Sequence, residues 1–159
     1  MTKALMAGDN APDFTIETTA GPRSLSSFKG KHLVLYFYPK DDTPGCTTEA
    51  IDFTSARKEF EATGAEILGI SRDTLSKHQK FATKHGIDIN LGADTDGDVC
   101  EAYGVWVEKN MYGRTYMGIA RSTFLIGPDG RIIRIWPKVR VKGHAQDVLD
   151  SIRPDSKAK

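Results

Sequence analysis

This chain of 159 residues has little sulfur, almost no net charge and no long apolar run. Its two cysteines, Cys46 and Cys100, are too few to staple a small secreted scaffold. They do not form a Cys-x-x-Cys pair, because Glu49 stands three residues after Cys46. A formal net charge of +1 gives no global field to attract nucleic acid or an anionic membrane. No stretch approaches the ~20 apolar residues of a spanning helix, and Met1-Thr2-Lys3-Ala4-Leu5-Met6-Ala7-Gly8 lacks the apolar core of a secretory leader. These absences predict a cytoplasmic protein in a reducing compartment, with neither membrane nor nucleic acid as partner. Metal chemistry is short of ligands too. His78 and His85 have no third ligand nearby, and His32 and His144 stand alone. Asp94-x-Asp96-x-Asp98 has calcium-loop spacing, but Val99 and Val105 occupy the positions that require glycine and glutamate. With no repeat or linker, and 39% hydrophobic residues, the chain reads as one domain over 1–159, with 154–159 a solvated, flexible tail.

What is present is an alternation of strands and helices. Asp13-Phe14-Thr15-Ile16-Glu17 alternates like a half-buried strand, Ala20-Gly21-Pro22-Arg23 turns it back, and 24–30 is a turn or helical stub. His32-Leu33-Val34-Leu35-Tyr36-Phe37-Tyr38 is nearly continuous in large apolar residues, as in a strand covered on both faces. A helix follows to about Ala62, then a strand over 65–71 that a helical crossover makes parallel to the first. Further on come a helix over 75–85 with Asp73 as its cap and Gly86 as its stop, a strand over 89–94, and a short helix over 98–103 capped by Asp96 or Asp98. Residues 104–118 read as a long irregular stretch in which Trp106, Tyr112 and Tyr116 either line the entrance to a site or, as the favoured reading has it, pack on the sheet. A hairpin turns at Gly127-Pro128-Asp129-Gly130, and the helix 144–152 is the last element. The basic residues Arg131, Arg134, Lys138, Arg140 and Lys142 suit a solvent-facing or edge strand. The order predicts an α/β fold with helices flanking a central mixed sheet.

Chemistry gathers at Pro39-Lys40-Asp41-Asp42-Thr43-Pro44-Gly45-Cys46-Thr47-Thr48-Glu49-Ala50. Pro39 cannot donate to a ladder and ends the central strand. Thr43 suits an N-cap and Pro44 the first helical position, so Cys46 falls in the first turn. Unpaired N–H groups and the helix dipole there favour a thiolate, the form a nucleophile needs. The competing reading makes Cys46 a buried small hydrophobe, since Cys46, Ala50, Phe53 and Phe60 lie near one helical face.

This stretch resembles the active-site signature of the peroxiredoxins, and its wider setting is similar to the bacterioferritin-comigratory or peroxiredoxin Q branch. Gly8-Asp9-x-Ala11-Pro12-x-Phe14, Val99-Cys100-Glu101-x-Tyr103-Gly104-Val105-Trp106 and Arg121-Ser122-Thr123-Phe124-Leu125-Ile126 extend the resemblance along the chain. It implies a thioredoxin-like fold and a thiol peroxidase for hydrogen peroxide and small organic hydroperoxides, needing no metal or organic cofactor. Cys46 would be the nucleophile, and Thr43 would set its hydroxyl beside the sulfur. Arg121 would hold the thiolate and the charge of the transition state, and Pro39 would shield the sulfur. Glu49 either positions Arg121 or merely complements the helix dipole.

Attack on a peroxide leaves Cys46 as a sulfenic acid, which a second thiol must reduce. Many relatives carry a resolving cysteine five residues on, where this chain has Ile51. Cys100, in an apolar-rich helix, reads as structural rather than resolving. The expectation is a monomeric one-cysteine enzyme reduced by thioredoxin, glutaredoxin or a small thiol. The alternatives are a two-cysteine enzyme resolved by Cys100, and a peroxide sensor or relay that forms a mixed disulfide with a partner protein.

Overall fold

A computed structural model describes residues 5–152. The elements run β1 (Thr15–Thr18), β2 (Gly21–Ser24), β3 (His32–Phe37), α1 (Pro44–Ser55), α2 (Arg57–Ala62), β4 (Ala65–Ser71), α3 (Leu75–His85), β5 (Asn90–Ala93), α4 (Asp98–Ala102), β6 (Trp106–Met111), β7 (Arg114–Ile119), β8 (Ser122–Ile126), β9 (Ile132–Trp136) and α5 (His144–Ile152), with a 3-10 turn at Leu25–Phe28. Both the tail 154–159 and the first four residues lie outside the described residues.

Seven strands form one mixed sheet in the order β2-β1-β5-β4-β3-β8-β9. β3 is central, parallel to β4 and antiparallel to β8. Its successive side chains point to opposite faces. Leu33, Leu35 and Phe37 enter one core cluster with Phe14, Leu68, Phe124 and the α4 residues Val99 and Cys100. Val34 and Tyr36 enter the other, with Cys46, Ala50 and Phe53 of α1, Phe60 of α2, Phe81 of α3 and Val148 and Leu149 of α5. Both faces of β3 are therefore dry, which is why its sequence is apolar without alternation. The two cysteines sit on opposite faces of this sheet.

Several elements differ from the sequence reading, each for a local reason. The helix expected to reach Ala62 breaks at Ala56, whose N–H is shared between the Asp52 and Thr54 carbonyls. Beyond the break Phe60 turns in against Phe53, with ring centroids 5.9 Å apart. Thr74, not Asp73, caps α3, accepting from Lys77 N–H at 3.3 Å. Neither Asp96 nor Asp98 caps α4: Gly97 holds the N-cap position with φ of 81°, and the Asp94 carboxylate accepts from the N–H groups of Val99 (3.2 Å) and Cys100 (2.8 Å). The first turn lies at Thr19-Ala20, so Gly21-Pro22-Arg23 belongs to β2.

The largest departure is 104–118. It contains a second, two-stranded sheet, β6 paired with β7, turning at Tyr112-Gly113. Both turn residues have positive φ, 54° and 76°, as the primed hairpin turns require. Packing takes in only part of this arm. Trp106 is partly buried, with the Arg72 guanidinium 4.5 Å over its ring, whereas Tyr112 and Tyr116 are exposed.

Candidate active site

β3 ends at Phe37, and residues 38–43 carry the chain without regular structure to the start of α1. Thr43 occupies the N-cap with extended dihedrals and Pro44 opens the helix. The first intrahelical bond runs from Thr47 N–H to the Thr43 carbonyl at 2.8 Å, so the N–H groups of Gly45 and Cys46 precede the ladder and point out of the helix start. Cys46 lies in this first turn and is 1% exposed.

Arg121 arrives from the neighbouring strand. β8 pairs antiparallel with β3, with Ser122 opposite Phe37, so the residue just before β8 lies beside the point where β3 gives way to the turn. Its Nη2–H donates to Cys46 Sγ at 3.3 Å and its Nη1–H to Glu49 Oε1 at 2.7 Å. Gly45 makes room for this approach, since a Cβ there would stand 3.2 Å from Nη2. Burial opposes the guanidinium charge, but the charges of Cys46 and Glu49 outweigh it, and Arg121 holds its proton more tightly than a free arginine. Glu49 is 1% exposed. Burial drives its carboxyl up to about 7 even though Arg121 pulls the other way, and its Oε2 is buried without a hydrogen-bond partner.

Of the residues singled out in the sequence, Cys46, Arg121 and Glu49 are thus joined by direct contacts. Thr43 sits three residues before the sulfur, and its hydroxyl donates to the Lys40 carbonyl at 2.9 Å rather than capping α1. Pro39 lies exposed in the turn after β3. Cys100 is in the opposite cluster, where burial first and the Asp94 carboxylate second push its thiol well above the ordinary cysteine range. Among the described residues no group of three or more His, Cys, Asp or Glu is placed to hold a metal ion, and no helix is long and apolar enough to cross a membrane.

Two features of the site escaped the sequence. Lys109 on β6 is half-buried, and burial and then the Arg121 charge lower its affinity for its proton, with Cys46 opposing them. No signal pointed to it, because the arm that carries it was unreadable. Beneath the turn, Asp41 and His78 are both buried and bonded to each other at 2.7 Å. In the sequence His78 reads only as a histidine that, with His85, lacks a third metal ligand, and only the meeting of His78 with Asp41 in space relates them.

A cysteine at a helix start with a guanidinium on its sulfur, carried by a mixed sheet with helices on both faces, is the apparatus of a thiol peroxidase. Residues 7–135 match the AhpC/TSA family, and the chain belongs to it. The similarity is to its peroxiredoxin Bcp and Q members. The putative peroxiredoxin bcp of Coxiella burnetii is 47% identical over 147 residues, covering 92% of this chain and 97% of that one. A Xylella fastidiosa PrxQ mutant superposes with a TM-score of 0.90 at 38% identity, covering 99% of this chain and 100% of the other. The bacterioferritin comigratory protein of Xanthomonas campestris, solved in connection with its alkyl peroxide reduction activity, superposes with a TM-score of 0.85 at 44% identity, covering 91% and 92%. The fold is thioredoxin-like, and the protein is a thiol peroxidase that pairs a peroxide substrate with a thiol reductant.

Proposed function

We propose that Cys46 is the peroxide-reducing thiol of a one-cysteine enzyme acting on hydrogen peroxide and small organic hydroperoxides. The observation that carries this is the Arg121 Nη2–Cys46 Sγ contact at 3.3 Å. A fixed positive charge beside the sulfur stabilises the negative charge that passes to the oxygen that leaves. The thiolate attacks one peroxide oxygen, an S–O bond forms as the O–O bond breaks, and the second oxygen departs as water or an alcohol once protonated. The N–H groups at the start of α1 and Arg121 line the path of that oxygen. Thr43, its own proton engaged by the Lys40 carbonyl, offers lone pairs to the O–H of the substrate. Glu49 acts through Arg121, fixing the guanidinium plane with a charge-assisted bond. Pro39 flanks the approach to the sulfur. The alkyl peroxide activity named for the Xanthomonas relative supports organic hydroperoxides as substrates alongside hydrogen peroxide.

Resolution falls to an external thiol: thioredoxin, glutaredoxin or a small thiol. Ile51 stands at the helical position of a resolving cysteine, and Cys100 is on the far side of the sheet with its thiol held protonated. Two equivalents of such a thiol return Cys46 to the thiol, releasing water and a disulfide. One sheet carrying both core clusters supports reading 1–159 as a single domain, and we take it to act as a monomer in a reducing, cytoplasmic setting.

The test is intact mass after one equivalent of hydrogen peroxide with a dimedone trap, on wild type and Cys100→Ser. The expected result is one trapped sulfenic acid, at Cys46, in both proteins. Loss of two protons in wild type, with trapping only in Cys100→Ser, would make Cys100 the resolving thiol. With excess reductant an enzyme consumes many equivalents of peroxide, whereas a sensor consumes about one.

A further inference from the structure

The segment between β3 and α1 decides where the sulfur sits, because α1 begins where this segment ends and Arg121 comes from a separate strand. After Tyr38 N–H, which donates to the Ile70 carbonyl at 3.1 Å, side chains do most of the holding. α3 supplies most of the partners. Asp41 Oδ2 lies 2.7 Å from His78 Nδ1, and Tyr38 donates its hydroxyl to Asp41 Oδ1 at 2.6 Å. His78 is 0% exposed, and its Nε2–H donates to the Gly92 carbonyl of β5 at 2.8 Å. That carbonyl only accepts, so Nε2 carries a proton and the imidazole is locked in orientation. Asp41 N–H donates to Asp73 Oδ2 at 2.8 Å, just ahead of α3. On the outer side Asp42, with φ of 61° in the left-handed region, accepts from Lys84 Nζ and His85 Nε2, each at 2.7 Å. A non-glycine residue in that region is held there by its surroundings.

Resting on the reading of Cys46 as the reacting thiol, we infer that α3 is a clamp on the active-site segment: His78, Lys84 and His85 hold Asp41 and Asp42, and so position Cys46 against Arg121. These are positioning residues, for none contacts the sulfur. Their effect is geometric. Peroxide reduction needs the sulfur in line with both the Arg121 guanidinium and the donors of the α1 start, whereas a simple alkylating agent needs only a reachable thiolate. Loss of the clamp therefore lowers peroxide reactivity while alkylation of the same sulfur is unchanged or faster. An ångström-scale misplacement costs about 100-fold in rate.

The experiment compares second-order rate constants of Cys46 with hydrogen peroxide and with iodoacetamide, on a Cys100→Ser background so that a single thiol reports. His78→Gln removes the inner half of the clamp, and the double variant Lys84→Ala/His85→Ala removes the outer half. The expected peroxide constants fall about tenfold to 100-fold for the first and about threefold to fivefold for the second. Iodoacetamide constants do not fall in either. Should His78→Gln fail to fold, the outer variant decides, because Lys84 is exposed and His85 is only half-buried. Folded variants with wild-type peroxide constants, even with lowered Tm, would overturn the clamp and leave α3 a merely structural support. Equal falls with both reagents would overturn it as well, pointing to lost access or lost ionisation. A parent protein that itself ignores peroxide would overturn the reading of Cys46 and the clamp with it, whereas a reactive parent beside equally reactive variants would overturn the clamp alone.

Discussion

Cys46 and Cys100 make a natural pair of opposites. Each is the third residue of a helix, each is at most 1% exposed, and each packs in the apolar core beside the central strand. The charges that meet them differ. Cys46 faces the Arg121 guanidinium at 3.3 Å, while Cys100 lies near the Asp94 carboxylate, which accepts its backbone N–H at 2.8 Å; burial first and that carboxylate second keep the Cys100 thiol protonated. The same position in a helix thus brings one sulfur against a guanidinium from another strand and the other beside a carboxylate.

The comparison breaks first if the cysteines are exchanged in importance. Cys46→Ser is expected to abolish peroxide turnover with excess reductant, and Cys100→Ser to leave it within about twofold, as read by peroxide consumption. Next, Arg121→Ala takes away the charge that separates the two sulfurs. Its expected effect is a loss of about 100- to 1000-fold in the rate constant for sulfenic acid formation, the scale of removing one fixed donor from a charge-stabilising site. A smaller effect sharpens the picture. Wild-type reactivity should decline as pH falls through about 7, where Glu49 takes up its proton and its hold on Arg121 weakens, and Glu49→Gln should lack that step. The same variant has a stability signature. Because the native carboxyl binds its proton more tightly than an unfolded one, wild-type stability falls as pH rises from about 4.5 to about 7, and thermal melts of Glu49→Gln should be free of that fall.

Much of this was readable from short stretches. The dry apolar run of β3, its end before Pro39, the start of α1 at Thr43-Pro44 and the stop of α3 at Gly86 follow from local dihedral limits and from which backbone groups lack partners. The hairpin of β6 and β7 was not readable. Its turn puts Tyr112 where asparagine or aspartate usually marks such a bend, and most of its side chains are exposed, so no alternation of polar and apolar residues records the strands. Capping was legible in kind but displaced in position. Asp73 and Asp94 stand close to helix starts, yet Asp73 serves the Asp41 backbone, and Asp94 reaches α4 from beyond the N-cap.

The sequence by itself determined the class of fold, the cysteine at a helix start and, through its signature residues, the kind of reaction, because each depends on contacts within a few residues or on a pattern repeated along the chain. The resemblance names Arg121 as the partner of Cys46 and leaves Glu49 open; tertiary structure decided that Glu49 shares Arg121 with Cys46, that the Asp94 carboxylate lies beside Cys100, and that Asp41 finds His78. Arg121 lies 75 residues from Cys46, and His78 lies 37 from Asp41. No local preference encodes such meetings: they follow from strand register and sheet order, and so exist only once the whole sheet has formed.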